Sequence, residues 1–247
     1  MLFWMSSSPH IQWYKVGSPA ASWPNLYLIS NANQHLAIPT YFLQKHHHRN
    51  LKHKTLTHLE SLHFTSYFTM GFTTFSGPSS SFPPMSQWKS FEEIFNTNKT
   101  AMFATGDTGP DIGAIWNAVL ECAKLGVEER VIFCIIMQES TGNVGVQTTF
   151  NGDGHATAGL MQCDGSPGFP GRHGLTQAQI TSMVRAGTEH FKANLKEFGD
   201  ADTADTIYKA LRAYNSGSVN VNNLSDGRGA TDSYVSDVAN RLLGRTN

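Results

Sequence analysis

Between Asp111 and Leu125, apolar residues fall at Ile112, Ile115, Trp116, Val119 and Ala123. That three-and-four spacing puts them on one face of a helix. Gly126 closes the stretch, as glycine commonly does where a chain leaves a helix. Glu128 and Glu129 then open a second helix, where acidic side chains suit the positive end of the helix dipole. Its body, Val131-Ile132-Phe133-Cys134-Ile135-Ile136-Met137, is apolar on every side, which predicts a helix buried at the centre of a domain. Helical spacing resumes over about 176–198, 203–213 and 231–243, carried by Ile180, Met183, Val184, Phe191 and Leu195, by Ile207 and Leu211, and by Tyr234, Val238 and Leu242. Residues 141–174 are rich in Gly and Pro and lose the period, which predicts an ordered loop or a short irregular hairpin. The pattern implies a mainly α fold with one helical domain over 86–247, and no internal repeat.

Residues 1–85 differ. They hold eight of the 11 histidines and keep neither a helical nor a strand period. Ser76-Gly77-Pro78-Ser79-Ser80-Ser81-Phe82-Pro83-Pro84 reads as a linker. The whole segment reads as low-complexity and largely disordered, or as a translated extension, with Met70 as an alternative start. His46, His47, His48, His53, His58 and His63 invite a metal, but five-residue steps share no face on a helix or a strand. No metal site or organic cofactor is expected.

Charge narrows the partners. The net charge is -1, but residues 1–85 carry five Lys/Arg against one acid, and 86–247 carry 13 against 18. A mildly acidic domain lacks the dense positive charge that nucleic acid requires. No apolar run approaches the roughly 18 residues of a membrane helix. Met1-Leu2-Phe3-Trp4-Met5-Ser6 has no basic stretch and too short an apolar core for a secretory signal. Among Cys122, Cys134 and Cys163, the pair Cys122–Cys163 is favoured for a disulfide, with three connectivities open. Asn98-Lys99-Thr100 and Asn223-Leu224-Ser225 are sequons that would accept glycans in a secretory pathway. A monomer is expected.

The chemistry concentrates at Glu139. It emerges at the C-terminal end of the apolar helix, where apolar surroundings and the negative end of the dipole both disfavour the carboxylate. A carboxyl held protonated near neutral pH is the proton donor that glycosidic cleavage needs. Four segments then follow in order: Glu139-Ser140; Gly152-Asp153; Gly159-Leu160-Met161-Gln162 with Asp164; and Ala213-Tyr214-Asn215-Ser216-Gly217 followed by Tyr234-Val235-Ser236-Asp237-Val238.

In these segments, over about 110–243, the chain resembles the goose-type lysozyme and soluble lytic transglycosylase family, nearest to secreted fungal members. The resemblance implies a lysozyme-like helical domain with a cleft for a β-1,4-linked N-acetylated glycan, peptidoglycan in most of the family. It also implies an extracellular location. Glu139 matches the catalytic acid, and Asp153 and Asp164 match acids that help position a water in hydrolytic members. Ser140, Gln162, Tyr214 and Asn215 match substrate-binding positions, and the Tyr214 hydroxyl could support the carboxyl of Glu139. The loop between Ser140 and Gly159 lacks the Phe-Asn-Pro pattern of bacterial transglycosylases. Retained acids slightly favour a hydrolytic muramidase over an anhydro-forming transglycosylase.

Each residue also has a plainer reading. Asp153 and Asp164, beside glycines, can be turn formers. Ser140 can close its helix, Gln162 and Asn215 can stitch the loop to a helix, and Trp88 and Trp116 can be packing residues. His155 and His173 read as surface loop residues. Chitin presents the same N-acetylglucosamine units as peptidoglycan. A non-catalytic glycan-binding module is a further alternative, as is a cysteine peptidase or amidase using Cys163 with His155 or His173 as base.

Overall fold

The computed structural model describes residues 71–246. The His46–His63 cluster and the rest of 1–70 lie outside the described residues. Six helices make up most of the fold: α1 (Phe91–Ala104), α2 (Gly109–Ala123), α3 (Glu129–Ser140), α4 (Gln177–Glu197), α5 (Ala204–Ser216) and α6 (Tyr234–Leu242). The mainly helical architecture expected from periodicity is what forms, consistent with the lysozyme-like domain that the resemblance implies.

Helix starts follow local chemistry. Ser90 and Glu93, Thr108 and Asp111, and Thr176 and Gln179 build reciprocal caps that satisfy the free N–H groups opening α1, α2 and α4. Helix α3 is the centre of the described helical domain. Val131 to Met137 are all buried, and α1, α2, α4 and α6 pack around them. Thr141 ends α3 in the left-handed conformation, at φ 55°.

The aperiodic stretch after α3 forms a small antiparallel sheet, β1 (Thr149–Phe150), β2 (Ala156–Ala158) and β3 (Cys163–Asp164), in the order β1-β2-β3. Thr149 faces Thr157, and Thr157 in turn faces Asp164. The turn after β2 packs against α4 at Gly187, where a Cβ would stand 2.4 Å from Met161 Cβ. A larger residue there would push the sheet away from the helices.

Several expectations are corrected. Residues 76–84 are not a free linker. Ser79–Ser81 and Met85–Gln87 form 3-10 turns, Phe82 and Trp88 are buried, and the Ser79 hydroxyl donates to Asp205 on α5. Thr73 N and Phe75 N donate to Asn240 and Ser236 on α6. The packed domain therefore reaches back beyond residue 86. As the plainer reading has it, Trp88 donates to Tyr208 Oη and Trp116 stacks on Phe91, so both indoles are packing residues. All three cysteines are free and buried, with no disulfide between Cys122 and Cys163. The sequon at Asn98 is closed, since this side chain is buried within α1 and donates to Ile94 O. Among the described residues, no helix is long and apolar enough to cross a membrane.

Candidate active site

Glu139 stands in the last turn of α3, where the buried core meets the sheet. Among the described residues its one side-chain hydrogen-bond partner is Tyr234, the first residue of α6, whose hydroxyl donates to Oε1 at 2.6 Å. Burial pushes the Glu139 carboxyl up to about 7, and the Tyr234 hydrogen bond works against that rise. Such a carboxyl is protonated often enough at neutral pH to give a proton away, and the tyrosine is placed to stabilise the carboxylate left behind. Burial, with the nearby Glu139 charge, holds the Tyr234 hydroxyl well above its ordinary range, so it stays a donor.

Tyr234 is the partner of Glu139 that sequence reasoning misplaced. It fits the apolar period of α6, so it read as a core position, and the supporting role was given to Tyr214. The structure has Tyr214 Oη donating to Met161 O at 2.6 Å instead. Tyr214 thus ties the turn before β3 to α5. The signal for Tyr234 was its place in the fourth segment, but only the fold brings the start of α6 against the end of α3.

Ser140 is buried. Its hydroxyl lies 2.8 Å from Leu160 O and 2.9 Å from Ile136 O and accepts from Gly142 N. It locks the end of α3 to the turn between β2 and β3 at Leu160. Gln162 sits at φ 43° with its amide donating to Gly159 O and its carbonyl accepting from Thr149. That stitches the loop to β1 rather than to a helix. Asn215 uses its carbonyl for Arg212 and for Thr231 N, which leaves the NH2 end for a ligand. Arg212 is wholly buried and also donates to Thr231 O, pinning the segment that leads into α6.

The two aspartates lie on the sheet. Asp153 is exposed at the tip of the β1–β2 hairpin, where its N–H meets Asn151 Oδ1. Asp164 projects from β3, about half exposed, with Oδ2 3.2 Å from His155 Nδ1. Its neighbour Cys163 lies within the electrostatic reach of both Asp164 and Glu139. Exposed His190 stands edge-on to Tyr214, with ring centres 5.1 Å apart. Burial pushes the Cys163 thiol up to about 11, the wrong direction for a nucleophile. Among the described residues, neither histidine proposed as its base hydrogen-bonds the thiol: His155 Nδ1 faces Asp164 and His173 Nδ1 faces Asp107. The thiol-enzyme reading therefore loses its chemistry.

Residues 120–235 match the family model described as the transglycosylase SLT domain. The match runs from the end of α2 into the start of α6 and includes Glu139, Asp153, Asp164, Tyr214 and Tyr234. No curated protein matches the chain.

Proposed function

We propose, from the match of residues 120–235 to the transglycosylase SLT domain, that this protein cleaves peptidoglycan-type glycans as a hydrolytic muramidase with Glu139 as its general acid. The observation that carries the reading is the largely buried Glu139 carboxyl, raised to about 7 and held by Tyr234. Glu139 would protonate the glycosidic oxygen as the C1–O4 bond breaks and oxocarbenium character develops on the sugar. The Tyr234 hydroxyl would then steady the new carboxylate. Asp164, with Asp153 farther out on the hairpin, would hold and deprotonate a water attacking from the opposite face. That inverting geometry needs carboxylates roughly 6.5–9.5 Å apart.

Gln162 and Asn215 supply amide groups suited to N-acetyl and hydroxyl positions. Ser140 and Tyr214 support the cleft through main-chain carbonyls. Because the polymer lies outside the cell that would make such an enzyme, the reading carries secretion with it, and it requires no second subunit.

A second reading is the anhydro-forming lytic transglycosylase, in which deprotonated Glu139 assists the sugar's own 6-hydroxyl. It is favoured by one observation: burial alone raises Glu139 and the Tyr234 hydrogen bond opposes it, with no aspartate among the causes. Mass spectrometry of products from purified peptidoglycan separates the two. Reducing-end muropeptides support hydrolysis. Products lighter by one water support the transglycosylase. Release of neither, with cleavage of chitin oligomers, would replace the substrate; binding without cleavage of either polymer would leave a glycan-binding module.

A further inference from the structure

Three titratable side chains meet away from Glu139, where α1 gives way to α2. Asp107 lies in the connecting turn with its side chain wholly buried, and Asp111 is buried in the first turn of α2. His173 approaches from the segment before α4, with about a third of its side chain exposed. One donor atom from each lies within 4.8 Å of the other two. His173 Nδ1 is 3.1 Å from Asp107 Oδ1. Gly106, at φ +101°, makes room for the ring, since a Cβ there would stand 3.1 Å from His173 Nε2.

The hydrogen bonds do not account for this cluster. Asp111 is better supplied: Oδ2 accepts from Thr108 N, Thr108 Oγ1 and Gly174 N, while Oδ1 accepts only from Leu175 N and keeps a second lone pair for a ligand. Asp107 is not satisfied. Its Oδ1 accepts from Val144 N and faces His173, whereas its buried Oδ2 has no partner. As a carboxylate, Oδ2 lacks a donor and lies near a second buried acid. As a carboxylic acid, its O–H would lack an acceptor. Either protonation state leaves a buried polar group unmatched. A cation removes both difficulties.

We propose that Asp107, Asp111 and His173 bind a divalent transition-metal ion, with Zn2+ the best match to two carboxylates and one imidazole. Calcium favours six to eight oxygen ligands, whereas zinc takes His nitrogen and carboxylate oxygen at about 2.0–2.2 Å. Ligand atoms around a tetrahedral ion of that size are roughly 3.3–3.6 Å apart, so small side-chain movements close this cluster around one. The ion would act as a clamp on three segments. One is the turn into α2, and another is the loop reached through Val144 just beyond Glu139. The third is the approach to α4, which also meets the loop where Gly171 N donates to Gly145 O at 2.8 Å. The proposal does not depend on the glycosidase reading.

The test uses the full chain purified without a histidine tag and stripped with chelator. Because the eight histidines within residues 1–85 can take up zinc themselves, the readout is the difference between variants. Wild type should hold one more equivalent of Zn2+ than His173→Ala by elemental mass spectrometry. Added Zn2+ should raise the wild-type Tm by about 5 °C or more and leave His173→Ala unmoved. Asp107→Asn should also be insensitive to zinc and melt below zinc-loaded wild type. Equal zinc content in wild type and His173→Ala would overturn the proposal. So would an equal thermal response, a response to Ca2+ but not Zn2+, or an Asp107→Asn variant that melts above wild type in zinc.

Discussion

At Glu139, acidity and fold stability are opposed. Burial raises the carboxyl from its ordinary 4.5 to about 7, so between those values the folded protein holds a proton that the unfolded chain releases. Stability consequently falls as pH rises through this window, by about 3 kcal/mol at most. Glu139→Gln removes the ionisation and with it this pH slope. The variant should show no detectable cleavage yet melt above wild type at pH 8, read by thermal denaturation at pH 5 and pH 8. A variant melting at the same temperature as wild type at both values would mean that Glu139 carries no burial penalty. Tyr234→Phe removes the donor that favours the carboxylate. The alkaline limb of the pH–rate profile should then move up by about one unit, with kcat reduced roughly tenfold or more. An unmoved limb would remove Tyr234 from the proton's path.

Among the elements, α3 and the sheet do different work. Helix α3 presents the acid from the rigid core, while the sheet carries Asp153 and Asp164 and meets the helices through Met161 against Gly187. Gly187→Ala should destabilise the fold by about 1–3 kcal/mol through overpacking, measured as a shift in denaturant midpoint. The double variant Gly187→Ala/Met161→Ala should relieve the clash and thereby suffer less than the two single losses combined. Helices α2 to α6 were legible in the sequence because each buries one apolar face, or in α3 every face, and that burden imposes a period. Helix α1 was not delimited, although Ser90 and Glu93 announce its start in the same way as Thr108 and Asp111 do for α2. Strands of two and three residues carry no alternation to read, so the sheet was visible only as a loss of helical pattern. The burial that raises Glu139 was legible because its apolar surroundings are local in sequence. Tyr234 was not, because its partner lies 95 positions away.

For the whole molecule, the described chain closes on itself. Residues 73 and 75 bond to α6, and Ser79 and Phe82 lie against α5. Composition disguised this belt, since Ser, Gly and Pro dominate it and its few aromatic anchors make no period. A chain beginning at residue 86 loses Phe82 and these ties, and should be about 2–5 kcal/mol less stable than one beginning at 71, by equilibrium unfolding in urea. The belt passes close to the second sequon, where Asn223 Oδ1 accepts from Gly77 N, but it is the first that is sealed inside α1. Oligosaccharide is attached to nascent chains before they finish folding. A sugar on Asn98 would therefore hold α1 off the core and send the product to degradation. Thr100 is exposed, so Thr100→Ala removes the acceptor signal without touching the interior. When the chain is directed into the secretory pathway of a glycosylating eukaryotic host, yield of folded protein should rise with that change, and it should stay level in bacteria, which makes the choice of expression host a property of one buried amide.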